Sequence, residues 1–105
     1  SAKEIQSWAD AVSRRFNTMP IMARFGKADK GFYGHCQTGI LPAGMGFEIV
    51  VSDQIRERLG VESIMEHELA HAVAWFACSA HPKAGHGPEF GLAYAAVYRF
   101  LHHTK

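Results

Sequence analysis

The sequence predicts an α+β fold in a single domain that spans residues 1–105. Three observations support this prediction. The chain begins and ends with segments whose apolar residues recur at helical spacing, and its middle third holds short segments rich in β-branched and aromatic residues. Within the helix predicted over 63–80, residues 69–78 are apolar on nearly all sides. With 48% hydrophobic and 20% charged residues, the composition is that of one globular domain.

The first predicted element is an amphipathic helix over residues 1–16. Ser1 and Glu4 have the spacing of a capping box, and Asn17 and Pro20 end the pattern. The apolar residues form one stripe, which indicates a face packed on the core: Ile5, Trp8, Ala9, Val12 and Phe16.

The middle of the chain predicts a small, mostly antiparallel sheet of about three strands. The segments 21–25, 32–37 and 47–52 have strand-like patterns, and the polar turn 26–31 predicts a hairpin between the first two. The segment 38–46 holds four residues of Gly and Pro, so we expect a loop there.

Two further helices flank the most apolar segment. A short helix is predicted over 53–59, with Ser52 or Asp53 as its cap and Gly60 closing it. A C-terminal helix is predicted to start near Pro88, which suits a first helical turn. Its apolar residues keep helical spacing to near the end of the chain: Phe90, Ala93, Val97 and Phe100 or Leu101.

The most informative stretch is the H-E-x-x-H pattern at residues 67–71, within the helix predicted over 63–80. Positions four apart lie on the same face of a helix, so His67 and His71 can direct two imidazole nitrogens at one point. Glu68 then lies beside them. This is the geometry of a zinc site with a carboxylate base next to a metal-bound water.

The surroundings of the pattern favour a ligand role for its histidines. A capping box at 63–66 and a stop at Pro82 delimit a helix, and between residues 69 and 78 the only strongly polar side chain is His71. A buried imidazole needs a partner, because burying an unpaired polar group costs about 1–3 kcal/mol. A metal ion is one such partner. Two core histidines bonded to backbone carbonyls are the alternative.

A third ligand is predicted at His86, which opens the segment His-Gly-Pro-Glu-Phe at 86–90. The reversal of the chain after the first motif lets the next helix return beside it, so His86 can meet the other two histidines from the opposite side. Three protein ligands would leave a fourth position for water. Taken alone, His86 would be an exposed loop histidine. Glu89 is the second candidate ligand, or a residue that orients a ligand histidine.

Composition restricts the partners and the compartment. The formal net charge of +1 gives no case for a strongly nucleic-acid-binding surface, although residues 1–30 hold six Lys or Arg against three Asp or Glu. A solvated face explains that excess, with DNA binding as the weaker alternative. No apolar run is long enough for a membrane span, and the N-terminus lacks the pattern of a signal peptide. Cys36 and Cys78 are expected to be reduced thiols in a cytoplasmic protein, with a disulfide between them as the alternative.

The two histidine motifs together resemble the SprT-like zinc metalloprotease domain, the type found in Spartan. The layout of the resemblance covers most of the chain, and its recognisable motifs lie in residues 49–90. The resemblance implies a zincin-like minimal metalloprotease core, in which the metal-binding helix packs against the C-terminal helix. It also implies a zinc ion held by three histidines and a catalytic glutamate, at His67, His71, His86 and Glu68.

The implied reaction is metal-assisted hydrolysis of a protein or peptide, with DNA-associated proteins as one substrate class. Glu68 would take a proton from the attacking water and pass it to the leaving amine. A second group could stabilise the oxyanion that forms on the attacked carbonyl. The candidates are Tyr94, Tyr33 and His35, and their spacing in the sequence does not favour any one of them. The alternative function is an inactive zincin-fold binding or adaptor module with a structural zinc, but such a site is expected to have four protein ligands.

Overall fold

The computed structural model describes residues 1–27, 33–77 and 86–103. These residues form three helices and a small mixed sheet, which confirms the predicted α+β class. In chain order the elements are α1 (Ala2–Phe16), β1 (Ile21–Gly26), β2 (Gly34–Leu41), β3 (Gly44–Ser52), α2 (Arg58–Ala77) and α3 (Pro88–His103).

The sheet has the order β1-β3-β2, with β3 in the centre. β1 pairs with β3 in parallel, from Ile21 opposite Phe47 onward, and β2 pairs with β3 antiparallel. The predicted hairpin between the first two strands is therefore wrong, and the sheet is mixed rather than mostly antiparallel. β3 takes the centre because it is the most apolar strand: Phe47, Ile49, Val50 and Val51 are each at most 1% exposed.

The predicted loop at 38–46 is also wrong, since most of it is strand. β2 and β3 form a hairpin whose turn occupies only residues 42–43, and Gly44 supplies the positive φ of 117° that follows the turn. Gly46 serves close packing instead. A Cβ atom there would lie 2.4 Å from the carbonyl oxygen of Pro20, which accepts a hydrogen bond from the N–H of Phe47. Two of the glycines in this segment therefore serve the hairpin, Gly44 through its backbone conformation and Gly46 through a close contact.

The short helix predicted over 53–59 does not form as such. Residues 53–54 make a turn in which the Ser52 hydroxyl accepts a hydrogen bond from the N–H of Gln54, and α2 begins only at Arg58. The N–H of Asp53 is bonded to the carbonyl of Gly26, 3.0 Å away. Ser52 therefore ends the sheet instead of capping a helix.

The helix that contains the histidine pattern starts earlier than predicted. Gly60 and Ser63 both lie inside α2, so neither the predicted stop nor the predicted capping box at 63–66 is used. The side chain of Ile55 packs where Gly60 has no Cβ, 3.0 Å from the position that such an atom would take. The described helix reaches Ala77, and the last predicted residues, 78–80, lie outside the described residues.

Helix α1 agrees with its prediction. The Ser1 hydroxyl accepts a hydrogen bond from the N–H of Glu4, and Ile5, Ala9 and Val12 are fully buried. The side-chain amide of Gln6 donates to the carbonyl of Ile21 and accepts from the N–H of Ala23, each at 2.8 Å. These two bonds occupy polar backbone groups on the outer edge of β1, so α1 covers that edge of the sheet.

The core lies between the helices and one face of the sheet. The side chains of Phe47, Ile49 and Val51 share that face, because strand side chains alternate, and they join the cluster that includes Met65 and Leu69 of α2. α3 adds Ala93, Val97 and Leu101, in agreement with its predicted stripe. No helix among the described residues is long and apolar enough to cross a membrane.

Candidate metal centre

Three histidines meet at one point between α2 and the start of α3. The Nε2 atom of His67 lies 3.3 Å from Nε2 of His71 and 3.1 Å from Nε2 of His86. One nitrogen from each residue lies within 4.8 Å of the other two. The three predicted ligands are therefore close enough to bind one metal ion together.

Each histidine comes from the element that the sequence predicted for it. His67 and His71 lie one turn apart on α2, and His86 precedes the first residue of α3 by two positions. The side chain of His86 is exposed, whereas His67 and His71 are half-buried. The site thus opens to solvent on the side of His86.

The ring of Phe90 lies against all three histidines. Its centroid is 5.1 Å from that of His67, 4.5 Å from that of His71 and 4.7 Å from that of His86. These distances are typical of tilted and edge-to-face aromatic packing. Phe90 is in the first turn of α3, four residues after His86, so the helix that brings the third histidine also brings the ring that supports the cluster.

The environment favours the neutral form of two of the clustered imidazoles, those of His71 and His67. Burial and the neighbouring His67 and His86 lower the pKa of His71 to about 4. The pKa of His67 is lowered as well, by burial first and by His86 second. A metal ion binds neutral imidazole, so protons compete only weakly for these nitrogens near neutral pH.

The side chain of Glu68 lies between α2 and the start of β2. Its side chain is only 6% exposed, and among the described residues none donates a hydrogen bond to its carboxylate. Burial accordingly raises the pKa of Glu68 to about 7. A carboxyl group with a pKa near neutrality is well suited to taking up and releasing a proton.

The carboxylate of Glu68 faces strand β2. The Oε2 atom of Glu68 lies 3.7 Å from the point that a Cβ atom on Gly34 would take. The thiol of Cys36 is on the same face of the strand, and burial followed by the charge of Glu68 raises its pKa to about 12. A raised pKa favours the protonated thiol, and Cys36 is a free cysteine in the structure, while Cys78 lies outside the described residues.

The second edge of β2 is open in the described part of the chain, where the strand pairs only with β3. The N–H of Ser52 donates to the carbonyl of Tyr33, and bonded pairs alternate along an antiparallel ladder. The polar backbone groups of Gly34, Cys36 and Thr38 consequently point away from β3. This row of unpaired groups begins beside Glu68.

A second contact between α2 and α3 involves Glu66, which is only 5% exposed. Its carboxylate is paired with the imidazole of His102, on which the ring of Tyr98 stacks at 4.0 Å. Burial and the nearby Glu66 raise the pKa of Tyr94. This polar pair helps to fix α3 on α2, and α3 in turn brings His86 to the other ligands.

The remaining sequence candidates lie around this centre in different ways. The ring of Tyr94 packs 5.9 Å from that of Phe90, whereas Tyr33 is 68% exposed and His35 has a buried Nδ1 atom without a hydrogen-bond partner among the described residues. Glu89 is exposed, and the described metal-ligand cluster does not include it. The pairing of Glu66 was not predicted from the sequence, although an acid in so apolar a helix was a signal that it needed a partner.

Comparison with known proteins does not place this chain in a family. No family model matches it, and neither a curated protein nor a solved structure matches it with significance.

Proposed function

We propose that this chain is a zinc-dependent metalloprotease domain of the SprT-like type, with a zincin-like core. The observation that supports this most directly is the combination of three converging histidines with a buried glutamate next to the first of them. A structural metal site does not require a buried carboxylate that neither binds the metal nor forms a hydrogen bond with a ligand. A hydrolytic site needs such a group.

The donor set fits zinc. With zinc–nitrogen bonds of about 2.0–2.1 Å, two ligand nitrogens of a tetrahedral site are about 3.3–3.4 Å apart. The separations of 3.3 Å and 3.1 Å at Nε2 of His67 are close to that value. Three imidazole ligands with one side open to solvent are typical of a catalytic zinc site rather than a closed structural one.

In the proposed hydrolysis, Glu68 and Phe90 have different roles. Zinc, when bound, lowers the pKa of a coordinated water toward about 7 and polarises a carbonyl group. Glu68 accepts the proton that the attacking water loses and then donates it to the leaving amine, which its raised pKa favours. Phe90 holds the imidazoles in place and excludes water from their inner side.

The open edge of β2 supports an extended peptide as the substrate. Its unpaired backbone groups at Gly34 and Cys36 can pair with a substrate strand, as in other complexes where a peptide is added to a sheet edge. A strand added there would pass beside Glu68. An unfolded protein segment can adopt this conformation, whereas a folded domain cannot, so we propose unfolded or flexible protein segments as substrates.

Metal content measured by elemental analysis tests the site. We expect about one zinc per wild-type chain, and loss or sharp weakening of binding in His86→Ala. His103→Ala removes another exposed histidine of α3 and should keep the metal. If wild-type protein holds no zinc even after reloading, the proposed function is wrong. If His86→Ala binds as tightly as wild type, the third ligand is a different residue.

Cleavage of a denatured protein substrate by wild type and Glu68→Gln tests the enzyme. The variant keeps the size of the side chain but not its basicity, so it should bind zinc and fold normally while losing at least about a hundredfold in rate. Equal rates in the two proteins would contradict the role of Glu68. Zinc binding without cleavage of any unfolded substrate by wild type would favour the inactive binding or adaptor module.

A further inference from the structure

A groove of about 540 Å³ lies on the side of α3 that faces away from α2, between that helix and the C-terminal turn of α1. It plays no part in the proposed hydrolysis. The residues that shape it are Arg15, Phe16, Leu92, Ala95, Ala96 and Arg99.

The floor of the groove is apolar and consists mainly of small side chains. Leu92 is 71% exposed, and it is followed along this face by Ala95 and Ala96, which have one of the smallest side chains. Small residues in the middle of a helix allow a second helix to approach its backbone closely. The groove therefore has the shape of a vacant helix position beside α1 and α3.

The rims of the groove are positively charged. Arg15 lies on the α1 side, with its guanidinium 5.2 Å from the centre of the Phe16 ring, and Arg99 lies on the α3 side. Within residues 1–27, 33–77 and 86–103, neither arginine forms an ion pair with a carboxylate, and no acidic residue lines the groove. His103 adds a titratable group at the far end.

We propose that this groove docks an amphipathic helix of another protein, with apolar residues on its inner face and acidic residues along both borders. The apolar floor would receive the inner face, and Arg15 and Arg99 would pair with the flanking carboxylates. A second copy of this chain is a poor occupant, because a symmetric contact would bring the positively charged rims of both copies together without acidic partners. Nucleic acid is also a poor occupant, because the two phenylalanine rings of the lining already have partners: Arg15 covers the Phe16 ring, and the Phe100 ring packs against Phe16.

A designed peptide tests the proposal directly. The probe is a fluorescein-labelled helical peptide of about 18 residues, which covers the roughly 24 Å of α3. It carries leucine and alanine on one face and glutamate on both flanks. A scrambled peptide of the same composition has the same charge without the helical stripe. Fluorescence anisotropy on the full chain, at low and at physiological salt, measures both affinities.

We expect a Kd in the micromolar range for the designed peptide and binding at least about tenfold weaker for the scrambled one. Arg99→Glu should weaken binding at least about tenfold by reversing a rim charge, and Ala95→Gln should do so by filling the floor. Arg56→Glu is the matched control, because it changes the net charge equally at an exposed position outside the groove and should leave the Kd unchanged. Circular dichroism verifies that each variant is folded.

Three results would overturn the proposal. The first is no binding of the designed peptide at concentrations up to about 1 mM. The second is equal binding of the designed and scrambled peptides, which would show that charge alone, and not the helical apolar face, causes the binding. The third is tight, Arg99-dependent binding of a 20-nucleotide single- or double-stranded DNA in place of the peptide, roughly the length of a small protein footprint, which would identify the groove as a nucleic-acid site.

Discussion

The carboxylate of Glu68 lies against Gly34, with Oε2 3.7 Å from the point that a Cβ atom on residue 34 would take. The same Cβ would lie 2.9 Å from the carbonyl oxygen of Val50 and 2.7 Å from Cγ2 of Ile64. α2 and β2 can therefore approach each other this closely only because residue 34 has no side chain. Glu68, the proposed general base, lies on the helix that this glycine allows to approach β2.

The first prediction concerns this contact. Gly34→Ala should lower the free energy of unfolding by about 1–3 kcal/mol, because the added methyl group meets a backbone oxygen that cannot move aside. Gly39→Ala is the control on the same strand, since a Cβ at Gly39 meets nothing within 4 Å. Urea denaturation of the three proteins measures the difference. Equal stability of the two variants would contradict the close approach of α2 to β2.

The second prediction concerns the pH dependence of stability in metal-free protein. The pKa of Glu68 is raised from 4.5 to about 7 in the folded state, so the folded protein binds this proton more tightly than the unfolded chain does. Its contribution is complete below about pH 4.5 and is lost as the pH rises toward 7. The expected loss is on the order of 2–3 kcal/mol.

Glu68→Gln should remove this component, because glutamine does not titrate. Denaturation of the metal-free proteins at a series of pH values from 4.5 to 8 gives the comparison. We expect the difference in unfolding free energy between variant and wild type to grow by that amount across the interval. A difference that is independent of pH would mean that Glu68 is not desolvated.

The third prediction concerns Phe90, whose ring contacts all three histidines. Phe90→Ala should weaken zinc binding by about tenfold, because the imidazoles lose the surface that holds their orientation. Competition with a chromophoric chelator measures the affinity. Phe90→Leu should retain most of it.

Phe100→Ala provides a matched loss of an aromatic ring on α3, at the contact with Phe16 whose centroid is 6.0 Å away. This variant is expected to be less stable but to bind zinc with unchanged affinity. If both alanine variants lower the affinity equally, the effect of Phe90 is a general loss of helix packing.

The fourth prediction concerns the pair formed by Glu66 and His102. His102→Ala removes the described partner of a carboxylate that is 5% exposed, which should cost about 1–3 kcal/mol of stability. His103→Ala removes the adjacent, exposed imidazole and should change the unfolding free energy by less than about 0.5 kcal/mol. Thermal unfolding at pH 7 compares the two, and similar values would show that the buried pair contributes nothing.

The sequence alone determined the features that depend on local periodicity. The spacing of four between His67 and His71, the stripe of α1 and the start of α3 at Pro88 follow from the geometry of a helix, which nearby residues settle by themselves. The predicted third ligand His86 also joins the cluster. Its position follows from the packing of α3 beside α2, because His86 lies just before α3.

Only the tertiary structure decided the order of the sheet and the environment of Glu68. The preference of β3 for the centre, with β1 parallel to it, depends on burying Val50 and its neighbours on both faces, and no local pattern specifies which strand lies beside which. Gly46 falls in the predicted loop and Gly34 in a predicted strand, but in the structure a Cβ atom at either position would collide with a backbone oxygen of a neighbouring segment. Glu68 acquires its raised pKa in the same way, because burial is a property of the packed structure and not of the residues next to it in the chain.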